Sequence, residues 1–162
     1  MDMNIREWDP VEDMGFFDHC EFESFKGTLK DIDELTEEEI KERYEDFLEE
    51  NQVDMTRPDH SVFIGEVDGE KVGLLWVSHR EPFWRFDEPL TWIYNLYVEP
   101  EYRRKGLGKK MLDKAEEFTR EEGLDKIALH VIRWNPARRL YENREYELIH
   151  SHNESRFYEK NI

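Results

Sequence analysis

Five basic residues and two glycines stand together in one eight-residue stretch of an acidic chain. The stretch is Arg103-Arg104-Lys105-Gly106-Leu107-Gly108-Lys109-Lys110, in a protein whose formal net charge is −17. It follows a β-like segment that ends at Val98 and precedes an amphipathic helix. Glycines let the backbone approach a ligand closely, and the free N–H groups and the dipole of a helix start face an anion. The stretch therefore predicts a phosphate-binding turn, with a solvated basic patch as the alternative.

Two other glycine-containing phosphate loops do not fit this spacing. A Walker A loop needs a glycine, four further residues and then Gly-Lys, a pattern that neither Gly106 nor Gly108 completes. A dinucleotide fingerprint needs a third glycine or alanine three positions beyond Gly108, where Met111 stands. Both classes of nucleotide loop are excluded.

Hydrophobic periodicity predicts the elements that position this turn. A first helix begins at an Asp9-Pro10 cap, and a second begins at a capping box formed by Thr36 and Glu39 and runs to about Asn51. Two strands joined by an Asp68-Gly69 hairpin turn follow. The remaining predicted elements are a strand over residues 90–98, a helix from about Gly106 to Gly123, a strand over 127–132, a short helix from Asn135, and a final antiparallel pair at 146–149 and 157–158.

Length and composition predict one folded domain over residues 1–162. Its 38% hydrophobic and 14% aromatic residues argue against disorder, and no apolar stretch is long enough to span a bilayer. Cys20 is the only cysteine, which excludes an internal disulfide, and the first residues lack the pattern of a secretory signal. We therefore expect a cytoplasmic protein with a buried thiol at Cys20.

The acidic residues are concentrated at the front of the chain. Residues 1–60 hold 6 Lys and Arg against 21 Asp and Glu. Such a field repels nucleic acid and anionic membranes, so we expect neither as a partner, and it attracts amines. The alternative is that these acidic helices only keep the protein soluble.

The basic stretch and its surroundings resemble the GNAT superfamily of N-acetyltransferases. Arg103-x-x-Gly106-x-Gly108 is similar to the pyrophosphate loop of that family, and the segment from Leu96 to Gly108 resembles its strand, turn and loop without a gap. The segment Asn135–Glu142 resembles a second family segment. The resemblance covers about Val62 to Lys160, whereas residues 1–60 match only in the order of their elements.

This resemblance implies an α/β (α+β) fold, a single GNAT-like domain whose mixed, mostly antiparallel sheet of six to seven strands is flanked by helices on both faces. Residues 61–162 would form the acetyl-CoA-binding core, and residues 1–60 an acidic helical region on the acceptor side. Strands 90–98 and 127–132 would splay apart to admit the pantetheine arm. The implied cofactor-binding residues are Leu96 and Val98 on the strand, Arg103, Arg104, Lys105, Gly106, Leu107, Gly108 and Lys109 in the loop, and Asn135, which would also cap the short helix.

The resemblance also implies that Tyr141 is the catalytic acid that protonates the departing thiolate; an ordinary core tyrosine is the alternative. The general base stays open, since the central strand has no acid between Thr91 and Val98. Candidates are His79, Glu81 and Glu88, and Tyr94 and Asn95 could orient a water molecule; each has a surface role as its alternative, and Glu99 is set aside as structural. The family usually has glycine before the aromatic that opens the penultimate strand, where Glu145 precedes Tyr146, so we expect Asn143 to supply the left-handed turn.

The predicted function is acetyl transfer from acetyl-CoA to a primary amine by direct attack in a ternary complex. The leading acceptor is a cationic small molecule, walled by Phe83, Trp84, Phe86 and Trp92 if these rings are not simply core; a protein N-terminus or lysine is next. A catalytically silent acyl-CoA sensor is the rival. His150 and His152 are half a metal site at most, so no metal is expected. A two-fold homodimer is the default assembly.

Overall fold

Within residues 2–162, which the computed structural model describes, the chain forms seven β-strands and four α-helices. The strands are β1 (Asn4–Glu7), β2 (His60–Val67), β3 (Glu70–Arg80), β4 (Leu90–Val98), β5 (Lys126–Ile132), β6 (Glu147–His152) and β7 (Ser155–Asn161). The helices are α1 (Met14–Lys26), α2 (Glu37–Glu50), α3 (Leu107–Glu121) and α4 (Arg138–Asn143). All strands join one sheet in the order β1-β2-β3-β4-β5-β7-β6. Only the β4–β5 pair in that order is parallel.

Helices cover both faces of this sheet, which confirms the predicted fold class. On one face, Phe17 of α1 packs with Ile64 and Leu74. On the other face, Leu112 of α3 packs with Leu75. Adjacent residues of a strand point to opposite faces, so Leu74 and Leu75 join separate cores. The sheet is therefore the middle layer of a three-layer domain.

The start of the chain differs from the prediction. Strand β1 was not expected, because Ile5 is the only apolar residue of its Asn-Ile-Arg-Glu segment and no alternation is visible. It pairs antiparallel with β2 and so becomes an edge strand of the sheet. Residues 1–60 are therefore not an entirely helical region.

Helix α1 begins at Met14, later than the Asp9-Pro10 cap predicted. Asp13, with no exposed surface, accepts hydrogen bonds from the Arg6 guanidinium at 2.7 Å and from the Asp9 N–H at 2.7 Å. The ammonium of Lys71 lies 2.6 Å from its other oxygen. Asp9 caps the turn that precedes the helix, since its carboxylate accepts from the N–H groups of Val11 and Glu12. The partners of the buried Asp13 carboxylate place the helix start one turn later, an arrangement that depends on distant residues.

The turn after α4 is a Schellman motif whose left-handed residue is Glu145, so the prediction of Asn143 was wrong. The N–H of Tyr146 donates to the carbonyl of Tyr141 at 3.0 Å, and the N–H of Glu145 donates to the carbonyl of Glu142 at 3.2 Å. Glu145 has a φ of +67°. The rings of Tyr141 and Tyr146 pack edge to face at 5.6 Å, the hydrophobic contact that accompanies this motif. Because this contact and the Tyr146 hydrogen bond set the register, Glu145 takes the position that glycine usually fills.

Other predictions are confirmed. Thr36 and Glu39 form the reciprocal capping box of α2, and Asp68 and Gly69 both have positive φ in the β2–β3 hairpin. Cys20 is buried.

No helix of residues 2–162 is both long enough and apolar enough to cross a bilayer.

Candidate active site

The parallel strands β4 and β5 separate soon after they begin. Only Thr91 with Ile127 and Trp92 with Ala128 are paired, although β4 continues to Val98. Beyond that point β4 stays paired with β3, and β5 with β7. The splayed gap implied by the sequence resemblance is therefore present, and we refer to it as the β4–β5 gap.

Main-chain groups of Leu96 and Val98 face this gap. The N–H of Glu99 donates to the carbonyl of Val72 on β3, at 2.8 Å. Successive residues of a strand direct their backbone groups to opposite edges, so those of Val98 and Leu96 point away from β3. The carbonyl of Val98 accepts a hydrogen bond from the side chain of Arg103 at 2.7 Å. The N–H of Val98 and both polar groups of Leu96 are left for a ligand in the gap.

The basic turn leads directly into the start of α3, whose N-terminus has no side-chain cap. Gly106 is its N-cap residue, with φ of +80°, and no acidic residue occupies the first turn. Helix α2 is the opposite case, with a capping box and three glutamates in its first turn. The first N–H groups of α3 thus lack the partners that a helix start normally has, which suits an anion.

The side chains of the turn divide between anchors and exposed cations. Leu107 is buried with Val72 and Val98, and Arg103 folds back over the ring of Tyr97 as well as onto Val98. Arg104, Lys105 and Lys109 are exposed. Leu107 and the contacts of Arg103 therefore hold the turn against β4, although the side chain of Arg103 is exposed as well.

Tyr141 lies in the core between the sheet and α3. It is 3% exposed, and its hydroxyl makes no hydrogen bond to any residue of the described part of the chain. Burial raises the pKa of Tyr141 above the ordinary phenol value. The phenol stays protonated and can donate a hydrogen bond.

Comparison with known proteins decides the family of this chain. The model of the Acetyltransferase (GNAT) family matches residues 27–146. A protein of Archaeoglobus fulgidus named as an uncharacterized N-acetyltransferase is 30% identical over 149 residues, covering 88% of this chain and 92% of the relative. The chain belongs to the GNAT family. As a GNAT protein it is an acetyl-CoA-dependent acyltransferase.

Solved structures share the fold of this GNAT protein. The PaiA N-acetyltransferase of Thermoplasma acidophilum, solved in complex with coenzyme A, is 22% identical, with a TM-score of 0.72 and full coverage of both chains. AAC(6')-Iy, solved with the bisubstrate analogue CoA-S-monomethyl-acetylneamine, is 16% identical, with a TM-score of 0.65 over 94% of this chain and 99% of that chain. These likenesses concern the fold.

Asn135 lies two residues before the N-cap of α4, which is Ala137. Its side-chain oxygen accepts a hydrogen bond from the N–H of Ala137 at 2.8 Å, and its carbonyl accepts one from Arg138 at 3.1 Å. It therefore supports the helix start from an upstream turn and is not itself the cap residue, which corrects that part of the prediction. Coenzyme A contact by Asn135 stays a prediction.

His79 and Glu88, two of the residues left open as general bases, have their ion-pair partners away from the open part of the gap of the GNAT protein. His79 at the end of β3 lies 3.5 Å from Glu122, and Glu88 lies 3.3 Å from Lys126, both near the Leu90 end of β4. Glu99 is bonded to His19 of α1 at 2.7 Å, consistent with the structural role assumed for it. Asn95 differs: its amide binds the carboxylate of Glu21, a residue that sequence reasoning did not single out.

The proposed aromatic walls are already covered by the protein's own cations. The guanidinium of Arg80 lies 3.6 Å from the ring centroid of Phe83 and 5.8 Å from that of Trp92. Arg85 lies over Trp84 and Lys126 over Phe86. These contacts argue against a cation-binding cage at this loop. Elsewhere, His150 and His152 stack at 6.5 Å, and residues 2–162 contain no cluster of three potential metal ligands.

Proposed function

We propose that this GNAT protein transfers the acetyl group of acetyl-CoA to a primary amine by direct attack within a ternary complex. One observation supports this most: the unpaired edge of β4 runs into a basic turn and an uncapped helix start. An extended chain ending in phosphates fits this combination. Its amide groups would pair with the strand edge, and its phosphates would meet the N–H groups of α3.

The residues of the site divide the work of binding acetyl-CoA, which supplies an acetyl group activated as a thioester. Leu96 and Val98 would hold the pantetheine arm through their free main-chain groups, and their N–H groups are the available donors to a developing negative oxygen. The N–H groups from Arg104 to Lys109 would hold the pyrophosphate. The exposed Arg104, Lys105 and Lys109 add positive charge beside it. Asn135, which follows β5 in the chain, would add a contact to acetyl-CoA from the β5 side of the gap.

Tyr141 would act on the leaving sulfur. Because burial raises its pKa, this phenol holds its proton more tightly than an alkyl thiol, whose pKa is about 8.5. Full proton transfer to the thiolate would therefore be uphill. We assign Tyr141 the role of hydrogen-bond donor that stabilises the thiolate, which then takes its proton from solvent.

A cationic small molecule is the proposed acceptor, with a protein N-terminus or lysine as the alternative. The concentration of acid in residues 1–60 supports a cation, and AAC(6')-Iy, which has a similar fold, binds the bisubstrate analogue CoA-S-monomethyl-acetylneamine. Cytoplasmic location and two-fold assembly remain predictions, which cell fractionation and light scattering test.

A thiol-release assay with acetyl-CoA and a panel of amines tests the proposal. Polyamines, amino sugars, amino acids and short peptides cover the acceptor classes. Turnover with a cationic small molecule, together with a rise in melting temperature on adding coenzyme A, is the expected result. Coenzyme A binding without turnover would favour an acyl-CoA sensor, and absence of any melting shift at millimolar coenzyme A would contradict the site.

A further inference from the structure

On one face of the sheet the β4–β5 gap is bordered by α1, whose Ser24 bonds to Asn95 of β4. The opposite face is filled: Thr119 of α3 donates to Thr91 of β4 at 2.8 Å, and Ile93 packs in the same core as Leu112 and Tyr141. An acceptor amine must therefore meet groups from α1 and from the α1 side of β4.

A bulge in β4 turns an additional side chain toward α1. Trp76 of β3 pairs with Asn95, and Val77 pairs with Ile93, so Tyr94 is the extra residue. Tyr94 stacks on Trp76, and Asn95 bonds to α1, which places two consecutive side chains on the same face. Asn95 lies three residues beyond Trp92, the last β4 residue paired with β5, and thus beside the open part of the gap.

Asn95 holds the carboxylate of Glu21 at this place. Its Nδ2 donates to Oε2 of Glu21, and its Oδ1 accepts a hydrogen bond from Ser24 at 3.1 Å, which fixes the orientation of the amide. One turn later, the carbonyl of Gly27 accepts a hydrogen bond from the indole of Trp134, in the turn after β5, at 2.9 Å. Helix α1 therefore bridges from β4 to the β5 side, with Glu21 beside the gap.

Glu21 lacks the cations that other shielded carboxylates have. Asp13 binds Arg6 and Lys71, and Glu116 is paired with Lys160 at 3.1 Å. In the part of the chain that the structure describes, no Lys, Arg or His nitrogen forms an ion pair with Glu21. A half-buried carboxylate without a cation is costly, and a substrate cation would offset that cost.

Burial and the charge of Asp18 favour the protonated form of Glu21, whereas the amide of Asn95 favours the carboxylate. Burial raises the pKa of Glu21 to about 7, the amide of Asn95 opposes this rise, and the charge of Asp18 adds to it. Cys20 on α1 and Tyr44 on α2 are the other titratable neighbours; burial, with the charge of Glu21 among the contributions, raises the pKa of each. A carboxylate poised near neutral pH exchanges protons efficiently.

We propose that Glu21 is the general base for the acceptor amine and that Asn95 and Ser24 position it; the inference rests on the acetyl transfer proposed above. The amine nitrogen forms the C–N bond at the acetyl carbonyl carbon, and the proton that this nitrogen loses moves to the carboxylate of Glu21. The C–S bond breaks with its electron pair on sulfur, and the thiolate takes a proton from solvent. Glu21 then returns its own proton to solvent, which balances the step.

Glu21→Gln tests this role, with Glu23→Gln as the matched control. Glu23 lies on the same helix, is also half-buried and pairs with Lys26, so both variants remove one negative charge. For an amine that the wild type accepts, we expect Glu21→Gln to lower kcat/KM by about 10²–10⁴-fold. We expect Glu23→Gln to stay within about threefold. The melting shift caused by coenzyme A should be equal in all three proteins.

The pH dependence separates a base from a merely structural group. In the wild type, log kcat/KM should rise with pH with a slope of two below about pH 7, because both Glu21 and the free amine must lose a proton there. Above about pH 7 the slope should be one, because only the amine still has to lose a proton. Glu21→Gln should lose the break and keep the slope of one. Asn95→Ala removes the hydrogen bond that favours the carboxylate, so it should move the break to higher pH.

A direct titration adds a readout that does not depend on turnover. Carbon-13 NMR of glutamate carboxyls, with Glu21→Gln as the assignment variant, should show one group titrating near pH 7. A Glu21 that titrates near 4.3, the ordinary value, would overturn the inference. So would Glu21→Gln with wild-type rate and pH profile. Coenzyme A binding with no accepted amine would instead refute the proposed acetyl transfer, and the base role with it.

Discussion

Replacement of Gly106 by alanine tests whether the turn before α3 has the conformation described here. Gly106 has a φ of +80°, and a Cβ added there would meet no atom within 4 Å. The cost of the substitution is therefore backbone strain alone, about 1–2 kcal/mol for an L-residue in the left-handed region. In a protein of this size, 1 kcal/mol corresponds to a change of roughly 2–4 °C in melting temperature.

This cost appears in one of two measurements. If the turn keeps its conformation without ligand, the free energy of unfolding of the free protein falls by about 1–2 kcal/mol. If the turn relaxes, the same cost reappears on binding, and the Kd for coenzyme A rises by roughly 5- to 30-fold, the ratio equivalent to that energy. In either case the coenzyme A-saturated variant should be less stable than the saturated wild type by about 1–2 kcal/mol.

Urea unfolding of the free and coenzyme A-saturated proteins measures both quantities. Gly108→Ala is the control, because Gly108 lies in the first turn of α3 and its added Cβ would meet only the end methyl of Leu140, at 3.3 Å. Alanine favours a helix by up to about 1 kcal/mol over glycine, so free Gly108→Ala should not lose stability. A saturated Gly106→Ala as stable as the saturated wild type would refute the left-handed turn as part of the binding site.

Three further substitutions probe the surroundings of the site. Glu145→Gly should raise the melting temperature by roughly 2–4 °C because it relieves a φ of +67°, whereas Glu145→Ala should not; equal effects would contradict the strain. Asp13→Asn should cost about 3 kcal/mol at pH 7 by urea unfolding. The pKa of Asp13 is depressed in the folded state, so its contribution is present above about pH 4 and is lost below it; a difference that persists undiminished at pH 2 would contradict this. Tyr141→Phe should lower kcat by about 10- to 100-fold, the loss of a hydrogen bond to a charged sulfur, and should leave the melting shift with coenzyme A unchanged; an unchanged kcat would exclude Tyr141 from the reaction.

The cofactor side of the site could be read from the sequence because its elements are local. A strand, a turn and a helix start follow one another from Leu90 to Glu121, and the glycine and basic residues of the turn stand within eight positions. In the proposed site main-chain groups bind the ligand, so the pattern has to specify only a backbone path. The strand, the turn and the helix start lie where they were expected, with main-chain groups of Leu96 and Val98 facing the gap, and their contacts with coenzyme A stay predictions.

Errors at the two ends of the chain have a common cause. The start of α1 is set by Asp13, whose partners Arg6 and Lys71 belong to β1 and β3. The exit from α4 is set by the contact of Tyr141 with Tyr146, which places Glu145 in a conformation that its type disfavours. In each case a tertiary contact overrides the local preference from which the prediction was made.

The acceptor side could not be read because its geometry depends on a bulge. In a regular strand, Tyr94 and Asn95 would point to opposite faces, and Asn95 would face α3. The bulge reverses Asn95 toward α1, where it meets a glutamate 74 positions away along the chain. Strand β4 itself contains no acid. In the proposed site β4 contributes the amide that orients the acid, and α1 contributes the acid. Because Glu21 lies on α1, the sequence of this helix can change without altering the backbone path that is proposed to bind coenzyme A.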